Sequence, residues 1–372
     1  MVSGQGGEVK DGGSVRALLL EGIEEGVYPG AVVIVSYRGE IVQYEAVGRR
    51  MITPREAPMQ RATIFDLASL TKPLATTMAL VKLVDEGAID LDEPIQEILD
   101  CSLPADKSAV TCRLLLCHAA GFPDWQPFYL DLETLPPALR ETHVRRWLIE
   151  RPLVYQPGRE TIYSDLGFMI LKWVVERASG MPMSDYLRDR FFGPLGLRHT
   201  FLGNAPAGFG LGEAHFAATE DCAWRRRVVL GQVHDENAYA LGGYSGHAGL
   251  FSTALDILVL SDLLMRHFHG ERQDFFRPET VKAFFRRQGL VPRSTWALGW
   301  DTPSEEGSSA GCHFSAQSVG HLGFTGTSVW MDLQRDVIVI FLTNRIHPTR
   351  KNQGIRAFRP RLHDRVMETL AA

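Results

Sequence analysis

Both ends of this 372-residue chain alternate with a hydrophobic period of two, while the long middle follows a helical period. Near the start, AVVIVSYRGEIVQYEAVG (Ala31–Gly48) places two β-branched runs around Arg38-Gly39, the signature of a hairpin. Near the end, SVGHLGF, TSVWMDL and DVIVIFLTN (residues 318–344) read as three successive strands. Helical spacing predicts helices at 71–86, 111–117, 164–178, 183–191 and 254–267, several closing on a glycine such as Gly87, Gly180 or Gly270. A first helix is expected from Ser14, as its N-cap, to a stop at Gly26, and a last one at 359–370. Strands that are far apart in sequence can share a sheet only if the two ends of the chain meet. The expected class is therefore α/β (α+β): an antiparallel sheet flanked by the terminal helices, with a large, mostly helical insert. The expected units are 1–62 with 296–372, and 63–295. A site belongs in the cleft between them. No internal repeat interrupts this order. Residues 1–13 read as a frayed tail, and LETLPPALR and GNAPAGFGLGEAHF read as connections.

Composition narrows the classes of function. The 45% hydrophobic and 22% charged content is that of a globular chain, and a net charge of −5 argues against a nucleic-acid partner. The one short basic run, Arg225 to Arg227, reads as a solvated loop. Five cysteines (Cys101, Cys112, Cys117, Cys222 and Cys312), odd in number and without paired spacing, suit free thiols in a reducing compartment. No basic head with an apolar stretch opens the chain, and no apolar run suits a membrane span. The expected location is cytoplasmic, or periplasmic or secreted if a leader is missing.

Chemistry concentrates in FDLASLTKPLATTMALVKLVDEG (Phe65–Gly87). Ser69 and Lys72 lie three residues apart, hence on one helical face, among residues that predict burial. A buried lysine loses proton affinity and can accept the serine proton, which would activate the hydroxyl as a nucleophile. The bland alternative is a capping serine with a snorkelling lysine. GSSAG (Gly307–Gly311) matches a nucleophile elbow in letters only, because no strand precedes it and no helix follows. Phosphate-loop, H-E-x-x-H and Cys-x-x-Cys patterns are absent, and no metal or other cofactor is called for.

Two further motifs follow in order: YSDLG with Tyr163, and GHLGFTGTSVW with His321, Leu322 and Gly323. With LLLCHAAGFPDW, YQPGRETIYSDLGFMIL, FFGPLGLRHTFL and GHAGLFSTALDI, they make the chain resemble the serine β-lactamase and penicillin-binding-protein superfamily. The likeness is to its class C β-lactamase, esterase and D-aminopeptidase branch, over nearly the whole length. It implies a β-lactamase/transpeptidase-like fold, with Ser69 as the acylated nucleophile and Lys72 as its partner. Tyr163 would be the proton relay, and the N–H groups of Ser69 and Phe324 the oxyanion hole. Gly323 would allow close backbone approach.

Asp165 stands where the family usually has Asn. Facing inward it would raise the Lys72 pKa and shift proton work to Tyr163; facing outward it would cap the next helix. His321 replaces the usual lysine and would be mostly neutral, which favours an uncharged ester or amide substrate and slow β-lactam turnover. His234 to Asn237 read either as substrate contacts or as partners of buried backbone groups. Arg345 is a candidate for binding an acid group at the cleft mouth. Trp125 and Tyr129 are candidate walls, and His118 and His247 are structural. The implied activity is serine hydrolysis of an ester or amide. Alternatives are a muramoyl-alanine amidase or D-amino-acid peptidase acting on peptidoglycan-derived substrates, and a silent binder of such fragments or of a protein.

Overall fold

The computed structural model describes residues 12–204 and 210–371. The chain opens with α1 (Gly12–Glu24), then β1 (Gly30–Tyr37), β2 (Glu40–Met51) and the short β3 (Ala57–Pro58). Near the other end come β4 (Ser318–Leu322), β5 (Ser328–Asp332), β6 (Val337–Thr343) and a closing helix, Ile355–Ala371. These strands form one six-stranded sheet in the order β3-β2-β1-β6-β5-β4, antiparallel throughout. The seam is β1 against β6, with Ala31 opposite Thr343 and Tyr37 opposite Val337.

The seam strands are buried on both faces, so β6 is apolar without interruption instead of alternating. Val33, Val35, Val339 and Phe341 pack under α1 and the closing helix with Leu19, Tyr28, Phe358 and Leu362. Val32, Ile34, Ile338 and Ile340 turn the other way, into the core shared with the helices between the strands. Each such side chain contributes about 1.5–3 kcal/mol by leaving water.

The middle of the chain supplies α2 (Met78–Asp85), α3 (Asp165–Ser179) and α4 (Ala254–His269); with these three, the closing helix is α5. Ser164 and Thr253 cap α3 and α4 through their hydroxyls, and Gly180 and Gly270 end them in left-handed turns. No helix among the described residues is long and apolar enough to cross a membrane.

Several expectations need correction. The first helix starts at Gly12, so Ser14 lies inside it; of the expected tail, residues 1–11 fall outside the described residues. LETLPPALR is not all connection: Pro137 opens a helix to Glu150, the first-turn position where a missing N–H costs nothing. The closing helix starts at Ile355 and carries Pro360 inside it, where the sequence suggested a beginning. Of GNAPAGFGLGEAHF, residues 205–209 lie outside the described residues.

Candidate active site

The turn that carries Ser69 is held from three sides. After the two-residue strand Phe65–Asp66, Ala68 adopts φ 48°, a left-handed conformation that costs a residue with a Cβ about 1–2 kcal/mol. The buried Asp66 carboxylate offsets this, accepting from Ala68 N at 2.9 Å and from His234 N at 2.6 Å. Thr325 and Thr327 donate their hydroxyls to the Asp66 and Leu67 carbonyls at 2.8 and 3.0 Å, stapling the turn after β4 to the serine turn. Gly323 permits that approach: a Cβ there would lie 2.0 Å from Thr327 Oγ1 and 2.5 Å from the Leu67 carbonyl oxygen.

On the outer edge of β4, Gly320 bridges Asp301, and beyond this bridge the edge is open to a cavity. Leu322 and Phe324 follow Gly320 in the two-residue period of that edge. Among the described residues, no backbone acceptor takes the N–H of Ser69 or of Phe324.

The helix expected at 71–86 is not regular. A tight turn at Ala68–Leu70 passes into a widened π-helical turn at Lys72–Thr77 before α2 begins. Such irregular turns gather at functional sites. Here the path brings Lys72 Nζ within 3.1 Å of Ser69 Oγ and 2.6 Å of Asp165 Oδ1, with Nζ 4.6 Å from the Tyr163 ring centre. The Lys72 side chain is fully buried.

Asp165 therefore faces inward, and the capping duty falls to its neighbour Ser164, which accepts from Gly167 N at 3.2 Å. Burial alone would lower the Lys72 pKa, but Asp165 and then Tyr163 outweigh it, so the ammonium is held above its ordinary value. For the Tyr163 phenol burial is also the largest influence, and it raises the pKa despite the nearby Lys72 charge. The residue as a whole is 38% exposed and lines the cavity, and its ring centre lies 4.5 Å from that of His118 and 5.8 Å from that of Trp296. His118 fixes the segment further: its Nδ1 accepts from Ser164 N at 3.0 Å, and its carbonyl accepts from Tyr155 Oη at 3.0 Å. Burial pushes the His321 pKa down to about 3, with Lys72 adding to the effect, so the ring is neutral; its Nδ1 donates to Leu322 O at 2.9 Å.

The cavity over Ser69 measures about 940 Å³. Of the residues expected in the site, Ser69, Tyr163, Asp165, His234, His321, Gly323, Phe324 and Arg345 line it, with Lys72 beneath Ser69. Asn237 does not. Fully buried, it accepts from Tyr129 N at 2.9 Å and donates to Gln126 O at 2.8 Å, holding the short helix Phe128–Leu132 in place. Trp125 walls the cavity, while Tyr129 stands behind it against Trp224.

Arg345 is at the wall, but most of its donors are already taken: Nε and Nη2 reach Phe324 O at 2.9 and 2.6 Å, and Nη1 reaches Asn352 O at 2.5 Å. Ser309 of GSSAG reaches the cavity rim from a loop. Trp296, Arg350, Arg356 and Arg359 also line the cavity and went unread in the sequence; the arginine-rich run RIHPTRKNQGIRAFR was the available signal. Asp165, Asp235 and His247 offer ligand atoms within 4.8 Å of one another, close enough for a metal ion. They are, however, committed to partners, Asp165 to the Lys72 ammonium and Asp235 to a hydrogen bond with His247 Nε2 at 3.0 Å.

A serine hydroxyl resting on a buried amine, beside a strand edge with an untaken N–H, is the equipment of serine hydrolases that work through a covalent acyl group. A family model described as Beta-lactamase matches residues 15–360, and the chain belongs to that family, within the serine β-lactamase and penicillin-binding-protein superfamily. It is 33% identical over 350 residues to an N-acetylmuramyl-L-alanine amidase of Bacillus subtilis (strain 168), covering 86% of this chain and 78% of that one. It is 35% identical over 307 residues to a putative D-alanyl-D-alanine carboxypeptidase of Salmonella agona (strain SL483), covering 77% and 70%. Among solved structures, EstCE1, described as a hydrolase with promiscuous acyltransferase activity, superposes with a TM-score of 0.75 at 23% identity, over 95% of this chain and 97% of that one.

Proposed function

We propose that Ser69 forms the acyl-enzyme and that the bond cleaved is an amide of a peptidoglycan-derived muramoyl peptide. The observation that carries the reading is the 3.1 Å contact between Lys72 Nζ and Ser69 Oγ, with Asp165 2.6 Å behind the amine. Ser69 Oγ attacks the carbonyl carbon, and the oxygen takes its negative charge between the N–H groups of Ser69 and Phe324. Lys72, kept as an ammonium by Asp165, stabilises the charge developing at Oγ. Tyr163, a neutral phenol, accepts the serine proton on its oxygen while giving its own proton to the departing nitrogen. Water then attacks the ester formed on Ser69, giving its proton to the phenol oxygen of Tyr163 as the phenol passes its own to the departing Ser69 Oγ.

Two considerations favour an amide over an ester. An amine must be protonated to leave, and a neutral phenol is suited to supplying that proton. The amidase relative is also 33% identical over most of both chains.

The test pairs mass spectrometry with kinetics. A fluorophosphonate should label Ser69 in the native protein and leave Ser69→Ala unlabelled; an inert native protein would overturn the reading. Tyr163→Phe should lose about 10²–10⁴-fold in kcat on N-acetylmuramoyl-L-alanine. It should lose activity on a p-nitrophenyl ester as well, because the serine and the attacking water still give up protons through the phenol. Unchanged turnover of both substrates would remove Tyr163 from this role.

A further inference from the structure

On the outer edge of β4 the carbonyls are already covered by side chains. Gly320 donates to Asp301 O at 2.9 Å and accepts from Asp301 N at 2.8 Å, so both of its backbone groups face outward. In an antiparallel strand Leu322, two residues on, faces the same way. Its carbonyl accepts from His321 Nδ1 at 2.9 Å. The Phe324 carbonyl accepts twice, from Arg345 Nε at 2.9 Å and Nη2 at 2.6 Å, which occupies both of its lone pairs. The Phe324 N–H, by contrast, has no backbone acceptor among the described residues.

Arg345 is fixed in that position. The residue is buried, its Nη1 donates to Asn352 O, and its guanidinium lies over the Phe324 ring at 4.7 Å. Gly326 makes room for its stem, since a Cβ there would lie 2.5 Å from Arg345 Cγ. A carbonyl that faces a cavity can be satisfied by water. Covering it with a buried guanidinium instead removes an acceptor from the edge, and Arg345 is thereby a cap and not a spare cation.

The consequence falls on the acyl group. A residue paired with an antiparallel edge in the hydrogen-bonded register exchanges both bonds with the residue opposite. An acyl group whose carbonyl oxygen sits on the Phe324 N–H would therefore aim the substituent of its α carbon at the Phe324 carbonyl. An N–H in that place meets the donors of Arg345 and is left unpaired. An ether oxygen there has no proton to place.

We infer that the edge beside Ser69 selects acyl groups with no N–H on the carbon next to the scissile carbonyl, and that Arg345 sets this preference. The lactyl ether of a muramoyl group meets the condition; the acylamino groups of a peptide or a β-lactam do not. The inference rests on the acyl-enzyme reading and narrows the acyl donor within it.

The test compares the p-nitrophenyl esters of O-acetyl-D-lactate and N-acetyl-D-alanine, which differ only by an oxygen in place of an N–H. Activated esters report entry of the acyl group without an amine to expel, and rates are taken above a Ser69→Ala blank. Native protein should show a kcat/KM about tenfold or more higher on the lactate ester, as expected when an N–H is left unpaired. Arg345→Met, which offers the Phe324 carbonyl no donor, should narrow that ratio to about threefold or less, mostly through faster turnover of the alanine ester. Equal rates or a preference for the alanine ester in native protein would overturn the inference, as would a ratio unchanged in folded Arg345→Met protein. The native comparison decides by itself if the variant fails to fold, because Arg345 also ties down Asn352. Failure of both esters to acylate Ser69 in protein that a fluorophosphonate labels would likewise overturn it. An absent fluorophosphonate adduct would instead overturn the acyl-enzyme reading.

Discussion

Lys72 is pulled in opposite directions, and the outcome depends on a single neighbour. Burial favours the neutral amine, Asp165 favours the ammonium, and the carboxylate prevails. Asp165→Asn would leave burial with the larger say and lower the Lys72 pKa. The limb of the pH–rate profile that follows deprotonation of Lys72 should then move toward acid, and a profile unmoved by the substitution would show that the limb belongs to another group. The direction in which Asp165 points was not legible in the sequence. Ser164 and Asp165 are both able caps for α3, adjacent in the chain, and only the path of the backbone decides which one turns outward. The Ser69–Lys72 contact was legible, since a spacing of three on a helical turn allows little else, even though the turn is wider than expected.

At the scale of elements, the oxyanion hole proposed for Ser69 and Phe324 would be a joint between two turns and not a property of either. Thr325, Thr327 and the missing side chain of Gly323 bring the end of β4 onto the Leu67 backbone. Gly323→Ala would force a Cβ into both Thr327 and the Leu67 carbonyl, parting the two donors. A fall in kcat of about 10²–10³ is expected, comparable to loss of one oxyanion donor, with a smaller change in KM. Native kcat in this variant would mean that the turn after β4 does not shape the hole. The strands themselves were easily read, because β-branched runs such as VVIV and VIVIF suit few other conformations. The helix at Pro137–Glu150 was not, because paired prolines mark a helix start as readily as a loop. Of the arginines that line the cavity, only Arg345 was read in the sequence. They are spread from Arg345 to Arg359, and only the return of the chain into α5 faces them to one cavity.

For the molecule as a whole, the buried neutral histidines set the acid limit of stability. The pKa values of His321 and His363 are lowered by burial to about 3 and about 4, against an ordinary value near 6.5, and that of His118 is also well below it. Below about pH 6.5 the unfolded chain binds protons that the folded one refuses. Stability is thus complete above that pH and declines as pH falls through the folded values. The melting temperature should drop steadily between pH 6.5 and 4, and His363→Gln should show a shallower slope. A melting temperature constant over that interval would contradict the assignment. The seam between β1 and β6 has a different outcome. A ribosome making this chain would release the turn of Ser69, the proposed nucleophile, well before the strands that position Phe324, its proposed partner in holding the anion. A product stopped short of β4 should carry Ser69 yet cleave nothing, so that activity itself reports that the sheet has closed.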